Sequence, residues 1–578
     1  RLFREFAVTL SVAIGVSLVI SLTATPMMCA KLLKHRSQTR HGRFYYVTER
    51  GFNAVIGFYE RSLGWVMRHQ PVMLAVTLIT IAFTIFLYIK VPKGFFPQQD
   101  TGRLTGSIIA DQGTSSQAMN VLLKRFTQIV SADPAVDNVI AFTGGQGGAS
   151  NTGRMFVALL PFEQRKLPAD EVIKRLRGKL SQVPGASLFL QSVQDIRVGG
   201  RPTAAQYQFT LQGEDLTELN DWGPRVLDKM RKLNGLADVN SDQQNRGLQE
   251  KIDIDRVTAA RLGVSVADID NVLYDAFGQR QVSTMFTQLN QYHVVMEAEP
   301  SFWQNPDGLN YIYLKGRNGA QVPLSAVVHK SRTTTALAVN HSGQFPSVTI
   351  SFNLLPGFSL GEAVTEIEQT EREMGLPPSI HGSFSGTAQA YQESLTNMPL
   401  LIIAALLTVY IVLGILYESY IHPITILSTL PSAGVGALLA LLFTHTDLNV
   451  IGLIGIILLI GIVKKNAIMM IDFALEAERN SGKTPEQAIF QACVLRFRPI
   501  MMTTLAALFG GLPLAMGHGT GAELRQPLGI AIVGGLIFSQ ALTLYTTPVV
   551  YVYLDRLRLW FDRTRHRSPA PALPMPQP

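Results

Sequence analysis

Lys464 and Lys465 stand side by side in the run GIVKKNAIMMIDFA (residues 461–474), inside one of the most apolar stretches of the chain. A charge at the centre of a lipid-facing helix costs about 2.5–3.5 kcal/mol, so such residues normally face a bundle interior and pair there. On a helix the two lysines are about 100° apart and cannot point the same way. Asp472 shares the face of Lys465, but lies seven residues on, about 10 Å along the axis and too far for direct pairing. Arg496 and Thr503 are also seven apart, on one face of the next span. Two spans can therefore turn polar stripes toward each other or toward a third helix. A lysine whose protonation answers to a nearby carboxylate is a natural part of a proton relay. Lys465 is expected to have that role, with a carboxylate partner that none of the chain's own spans offers at the right depth. The bland alternative is a lysine near the helix end that snorkels to the interface, which suits Lys464 better than Lys465.

Other chemistry-bearing patterns are weaker. SGKT at 481–484 ends like a phosphate-binding loop, but Ala477 stands where the pattern needs glycine, and a membrane span precedes it instead of a strand. It reads as a turn, with Thr484 capping a helix that starts at Pro485. TGGQGGASNTG (143–153) holds Gly144, Gly145, Gly147, Gly148 and Gly153 and follows no dinucleotide pattern. It reads as a flexible loop, or more sharply as a mobile loop beside a ligand. His35, His41, His69 and His518 lack metal-ligand spacing, so no metal, no other cofactor and no catalytic residue is expected. Cys29 and Cys493 read as small apolar residues near span ends, not as a disulfide framework.

The elements that position these residues follow from hydropathy. The 578 residues are 47% hydrophobic with a formal charge of +8 and a mean hydropathy of +0.19. Seven runs, 6–30, 71–89, 399–416, 423–443, 450–475, 499–516 and 527–554, are each long enough to cross a hydrocarbon core of about 30 Å. Lysine and arginine gather after the first span, between the fifth and sixth, and after the seventh. By parity these loops share one side, the cytoplasm, with Arg1 and Arg4 as exceptions. Residues 91–396 then lie outside the cytoplasm. Before the second span, Phe52, Val55, Ile56, Tyr59, Leu63 and Val66 recur at helical spacing, as in an amphipathic helix on the membrane surface. Between 91 and 396, strand-like and helix-like patterns alternate as βαβ-type units, with an apparent insertion beginning near 251. The expected fold class is a membrane α-helical bundle with a large α+β domain of βαβ-type subdomains and an inserted subdomain. The proline-rich end (555–578) reads as a basic tail. The chain opens at Arg1 without Met or leader, and reads as a piece of a longer protein.

Four motifs, VPKGFFPQQDTG (91–102), GILYESYIHPITILSTLPSAGVGALLALL (414–442), GIVKKNAIMMIDFA and LRFRPIMMTTLAALFGGLPLAMG (495–517), together resemble the resistance–nodulation–division multidrug efflux permeases. The resemblance covers essentially the whole chain, read as that family's sixth span (1–33), linker and surface helix (34–70), seventh span (71–90) and remaining second half. It implies porter subdomains at 91–200 and at 201–250 with 345–396, a docking subdomain at 251–344, and five spans within 397–554. It places the proton relay on Lys465, Asn466, Arg496 and Thr503. It makes 143–153 a switch loop between drug pockets, with Phe156, Ile140, Phe142, Gly145 and Gln146 at the substrate. The family's loop phenylalanines are replaced by Gly145 and Gln146, so the pocket is expected to be less aromatic.

The resemblance further implies proton-driven antiport of amphiphiles such as drugs or bile salts in a Gram-negative inner membrane. It implies a periplasmic membrane-fusion adaptor, an outer-membrane channel, and a homo- or heterotrimer with a paralogous permease. No nucleic-acid partner is expected. Competing readings are a mainly structural subunit of a heteromeric pump, a related proton-driven lipid or protein exporter, and the ATP-driven pump that SGKT invites.

Overall fold

The computed structural model describes residues 2–32, 43–144, 149–196, 198–517 and 519–565. The basic linker after the first helix, Gly145, Gln146, Gly147 and Gly148 of the glycine loop, His518 and the last thirteen residues lie outside the described residues. Among those described, seven helices are long and apolar enough to cross a membrane.

The chain starts with α1 (Leu2–Leu32), α2 (Arg43–Arg68) and α3 (Gln70–Lys90). On α2, Tyr59, Leu63 and Val66 are buried as the spacing predicts, whereas Val55 of the same set is exposed. A first sheet follows, made of β1 (Arg103–Ala110), α4 (Ser116–Ser131), β2 (Val136–Thr143), β3 (Thr152–Leu159), the single turn α5 (Phe162–Arg165), α6 (Ala169–Leu180) and β4 (Ala186–Ser192). A second contains β5 (Tyr207–Gly213), α7 (Leu216–Met230) and β6 (Leu236–Ser241), then, after an insertion, β13 (His341–Ser342), β14 (Phe345–Leu354), α11 (Leu360–Met374) and β15 (Ile380–Ser385).

In each sheet the strands joined by a helix are not neighbours. The first has the order β2-β3-β1-β4 with every pairing antiparallel, so β3 sits between β1 and β2. In the second, β14 lies between β5 and β6, and β5 between β14 and β15. These are split βαβ units. Period-2 alternation drives Leu104 and Ile108 of β1 onto Phe126 of α4 and Leu176 of α6. Sequence order reveals which strands flank a helix, not which strand hydrogen-bonds to which.

The insertion comprises β7 (Gly247–Ile254), α8 (Arg256–Leu262), α9 (Val266–Phe277), β8 (Arg280–Phe286), β9 (Gln291–Met296), the turn α10 (Pro300–Trp303), β10 (Tyr313–Lys315), β11 (Gln321–Pro323) and β12 (Val328–Thr335). β7 and β12 pair antiparallel, so the chain leaves and re-enters side by side. The insertion has its own core around Ile269, Leu314 and Leu324.

The bundle is completed by α12 (Thr387–Tyr417), α13 (His422–Leu427), α14 (Leu430–Phe443), α15 (Val450–Ser481), α16 (Pro485–Met516) and α17 (Gln526–Arg565). α17 continues past 554, and Asp555 is buried on it. Helices close on one another through small residues. A Cβ on Gly436 of α14 would lie 2.5 Å from the Gly534 carbonyl oxygen of α17, the kind of backbone approach that bundles in lipid use.

The first motif is a stitch between layers. Leu448 N donates to Pro92 O (2.8 Å), Gly94 N to Leu448 O (3.2 Å), Val450 N to Phe95 O (3.1 Å), and Gly361 N to Lys93 O (3.0 Å). Phe95 packs with Val450 and Ile454 of α15 and Leu360 of α11 in the core beneath β5 and β14.

Candidate functional site

α15 begins where Asn449 caps Gly452 N at 2.8 Å and ends at Gly482, whose φ of +61° lets the chain turn. Thr484 then caps α16 with Pro485 in its first turn, as the SGKT segment was expected to do. The helix has two unlike faces. Val463, Asn466, Ala467, Met470, Ile471 and Ala474 form the buried one. Lys465, Asp472 and Glu476 lie along the exposed one, and Lys464 is half-buried between them.

The polar groups of the buried face are satisfied within the chain. Asn466 Nδ2 donates to Thr504 Oγ1 and to Gln540 Oε1, both at 3.1 Å. Thr504 Oγ1 donates to the same Gln540 oxygen at 2.8 Å, and Gln540 Nε2 lies 3.2 Å from Met501 Sδ. Three helices are thus locked in register by one amide–hydroxyl–amide cluster. Lys465, next in the chain to Asn466, is in no ion pair among the described residues.

Arg496 lies half-buried on α16 with its guanidinium 4.9 Å from the Phe473 ring centre, and its Nε is buried without a hydrogen-bond partner. Thr503 Oγ1 donates back to Ile500 O at 3.1 Å, within its own helix. The structure brings Asn466 to Thr504, not to Thr503. Lys465, Arg496 and Thr503 share no direct hydrogen bond. Thr504 and Gln540 were missed in the sequence reading. The available signal was a lone glutamine inside an apolar span. The surface helix is clamped to this end of α16: Arg498 Nη2 lies 2.5 Å from Glu49 Oε2, and the Tyr59 and Phe497 rings stack at 4.6 Å.

On the first sheet, Ile140 faces Phe156 across the β2–β3 ladder, and the Phe142 and Phe156 ring centres are 6.0 Å apart. Ile140 is 64% exposed, and Phe142 and Phe156 are each 45% exposed. They form an apolar patch on the face turned away from α4 and α6. Gly145 and Gln146 lie outside the described residues, in the loop between these strands. Beside the patch, a cleft of about 440 Å³ separates the two sheets, with Arg154, Gln191, Arg201, Gln208 and Asn240 among its walls. Its Asp242 accepts from Thr349 N at 2.7 Å, and burial pushes the carboxyl above the ordinary carboxylate range. Among the described residues no group of three or more His, Cys, Asp and Glu side chains could hold a metal.

A polytopic membrane bundle carrying two split-βαβ sheets and an insertion is a specific architecture, and comparison with known proteins agrees with it. A model of the AcrB/AcrD/AcrF family matches residues 1–555. The chain belongs to that family, within the resistance–nodulation–division proteins that its motifs resemble. Multidrug resistance protein MdtC of Serratia proteamaculans (strain 568) is 57% identical over 577 residues, covering 99% of this chain and 55% of that protein. MdtC of Yersinia enterocolitica is 57% identical over 567 residues, covering 97% and 55%. The chain thus spans about half the length of these curated relatives, and the MdtB/MdtC type is the one its motifs resemble. The crystal structure of a heavy metal efflux pump matches with a TM-score of 0.79 at 24% identity, covering 88% of this chain and 53% of that one. That likeness concerns the fold.

Proposed function

We propose that the chain is part of a proton-driven efflux permease for amphiphilic compounds, and that Lys465 is its proton-carrying cation. The observation that carries this reading is the open stripe of α15: a lysine deep in an apolar helix, on the face away from Asn466, with no anion paired to it among the described residues. A charge so placed is expensive in lipid, so its presence argues for use. On this reading a carboxylate from outside the described residues meets Lys465 and trades protons with it, while Arg496 and Thr503 on α16 tune that exchange.

In the same reading β1–β4 and β5–β6 with β14–β15 are porter subdomains, and the insertion docks toward an adaptor and an outer-membrane channel. The soluble layer is periplasmic, the membrane is the Gram-negative inner one, and the permease works as a homo- or heterotrimer. Ile140, Phe142 and Phe156 offer an apolar wall, and the neighbouring cleft a polar one, a combination suited to amphiphiles with a hydrophilic edge. Gly145 and Gln146, which lie outside the described residues, are assigned to the same substrate region by sequence position alone.

Lys465→Ala in the full-length protein is expected to abolish resistance to exported compounds while expression and trimer assembly persist. Undiminished resistance overturns the assignment. A mainly structural subunit of a mixed pump is the second reading, favoured by the lack of any direct bond joining Lys465, Arg496 and Thr503. It predicts that Lys465→Ala is silent here and lethal to transport in the paralogous subunit.

A further inference from the structure

A second set of titratable groups lies at the opposite end of α15 from Asn449, away from Lys465. Tyr551 of α17 donates its hydroxyl to Glu478 Oε1 of α15 at 2.8 Å. One turn beyond Tyr551, Asp555 is 2% exposed, and neither of its carboxylate oxygens has a hydrogen-bond partner. Arg558 Nη2 approaches Asp555 Oδ1 to 2.7 Å but out of hydrogen-bonding direction. On α13, His422 is 3% exposed, its Nδ1 has no partner, and its ring stacks on Tyr551 with centres 5.9 Å apart. Tyr417 of α12 meets that imidazole edge-on at 6.3 Å. Arg479 of α15 and Arg558 are the cations near His422, and Asp472 of α15 faces Tyr417.

A buried carboxylate and a buried imidazole with open hydrogen-bonding positions are costly unless water or a proton completes them. A bundle held only for stability would favour apolar residues here. Glu478 is thirteen residues from Lys465, about 20 Å along the helix, and Asp472 lies between them. This is also the end of the bundle that carries the basic residues.

We propose that His422, Glu478, Tyr551 and Asp555 form a proton-release station, through which protons leaving the Lys465 relay pass to the aqueous phase at the basic end of the bundle. The proposal rests on the proton-driven reading above. One proton arrives on a carboxylate or the imidazole, that group becomes neutral or cationic, and the same proton departs to bulk water. Arg558 and Arg479 stay protonated throughout and hasten departure by favouring the carboxylate form.

The test uses the full-length protein in proteoliposomes with a pH-reporting dye, flux being normalised to folded protein. Glu478→Gln and Asp555→Asn are expected to slow proton flux by about tenfold or more, to flatten its dependence on pH at the basic side, and to leave substrate KM unchanged. Glu478→Asp should restore most of the flux. Tyr551→Phe, which keeps the ring but drops the hydroxyl, should give an intermediate loss and decides the matter if Asp555→Asn does not fold. Wild-type flux and pH profile in Glu478→Gln and Tyr551→Phe overturn the station. If Lys465→Ala then still abolishes flux, the proton-driven reading stands alone. Absence of proton flux in the wild type overturns both.

Discussion

The two faces of α15 obey different rules. On the buried face, the amide nitrogen of Asn466 finds two acceptors at 3.1 Å, on Thr504 and Gln540, supplied by two other helices of the same chain. On the open face, Lys465, Asp472 and Glu476 are exposed ionisable side chains, and among the described residues Lys465 is in no ion pair. The first arrangement fixes helix register. The second is not tied to other helices by ion pairs among the described residues. On the proposed reading, adjacent residues one turn-angle apart divide structure from function, and stability and transport measured together test that division.

The largest stability effect is expected at Asn466→Leu. It removes two buried hydrogen bonds, the ones Asn466 donates to Thr504 and to Gln540, and leaves those two held only by each other, which costs about 1–3 kcal/mol and should lower the thermal midpoint of the detergent-solubilised full-length protein. An unchanged midpoint would mean that the cluster does not hold register. A smaller, pH-dependent effect is expected at Asp447→Asn, just before the α15 cap. Burial, and next the charge of Glu362, raise the Asp447 carboxyl above its ordinary range. The ionised form therefore weakens the folded state, and that penalty appears as pH rises from the usual carboxylate range through the raised value. Asn should stabilise at neutral pH and change little at pH below the carboxylate range. Equal shifts at both pH values refute this account. Glu49→Gln loosens the clamp between α2 and α16 at a partly exposed ion pair, and should cost no more than about 1 kcal/mol. Lys465→Met closes the series, changing stability by within about 0.5 kcal/mol while efflux disappears. A large loss of stability at Lys465 would erase the distinction between the faces.

The same division explains what could be read in the sequence. Spans were legible because lipid demands about 20 consecutive apolar residues, and the amphipathic pattern of α2 placed Tyr59, Leu63 and Val66 inward. Val55 fails because the neighbours of α2 cover only part of its apolar arc. Strand–helix–strand order was legible in both sheets, but the strand lodged between each flanking pair was not, since pairing depends on contacts across 50 or more residues, such as Leu104 with Val157. Lys465 announced itself by violating the apolar pattern. Gln540 violates it too, but an uncharged residue draws less notice, and its partners Asn466 and Thr504 are 74 and 36 residues away. Phe142 and Phe156 are fourteen residues apart in the chain. Only the antiparallel ladder of β2 and β3 brings their rings together.

The stitch between 91–95 and 448–450 has a mechanical consequence. Val450 and Ile454 belong at once to the first turns of α15 and to the hydrophobic core under β5 and β14. A core packed as densely as an organic crystal neither stretches nor flows, and the linking strand segment is held at both ends by backbone hydrogen bonds. An axial slide or tilt of α15 cannot dissipate in slack chain. It is passed directly to the core of the second sheet, the way a push rod with no play passes its stroke to the part it bears on.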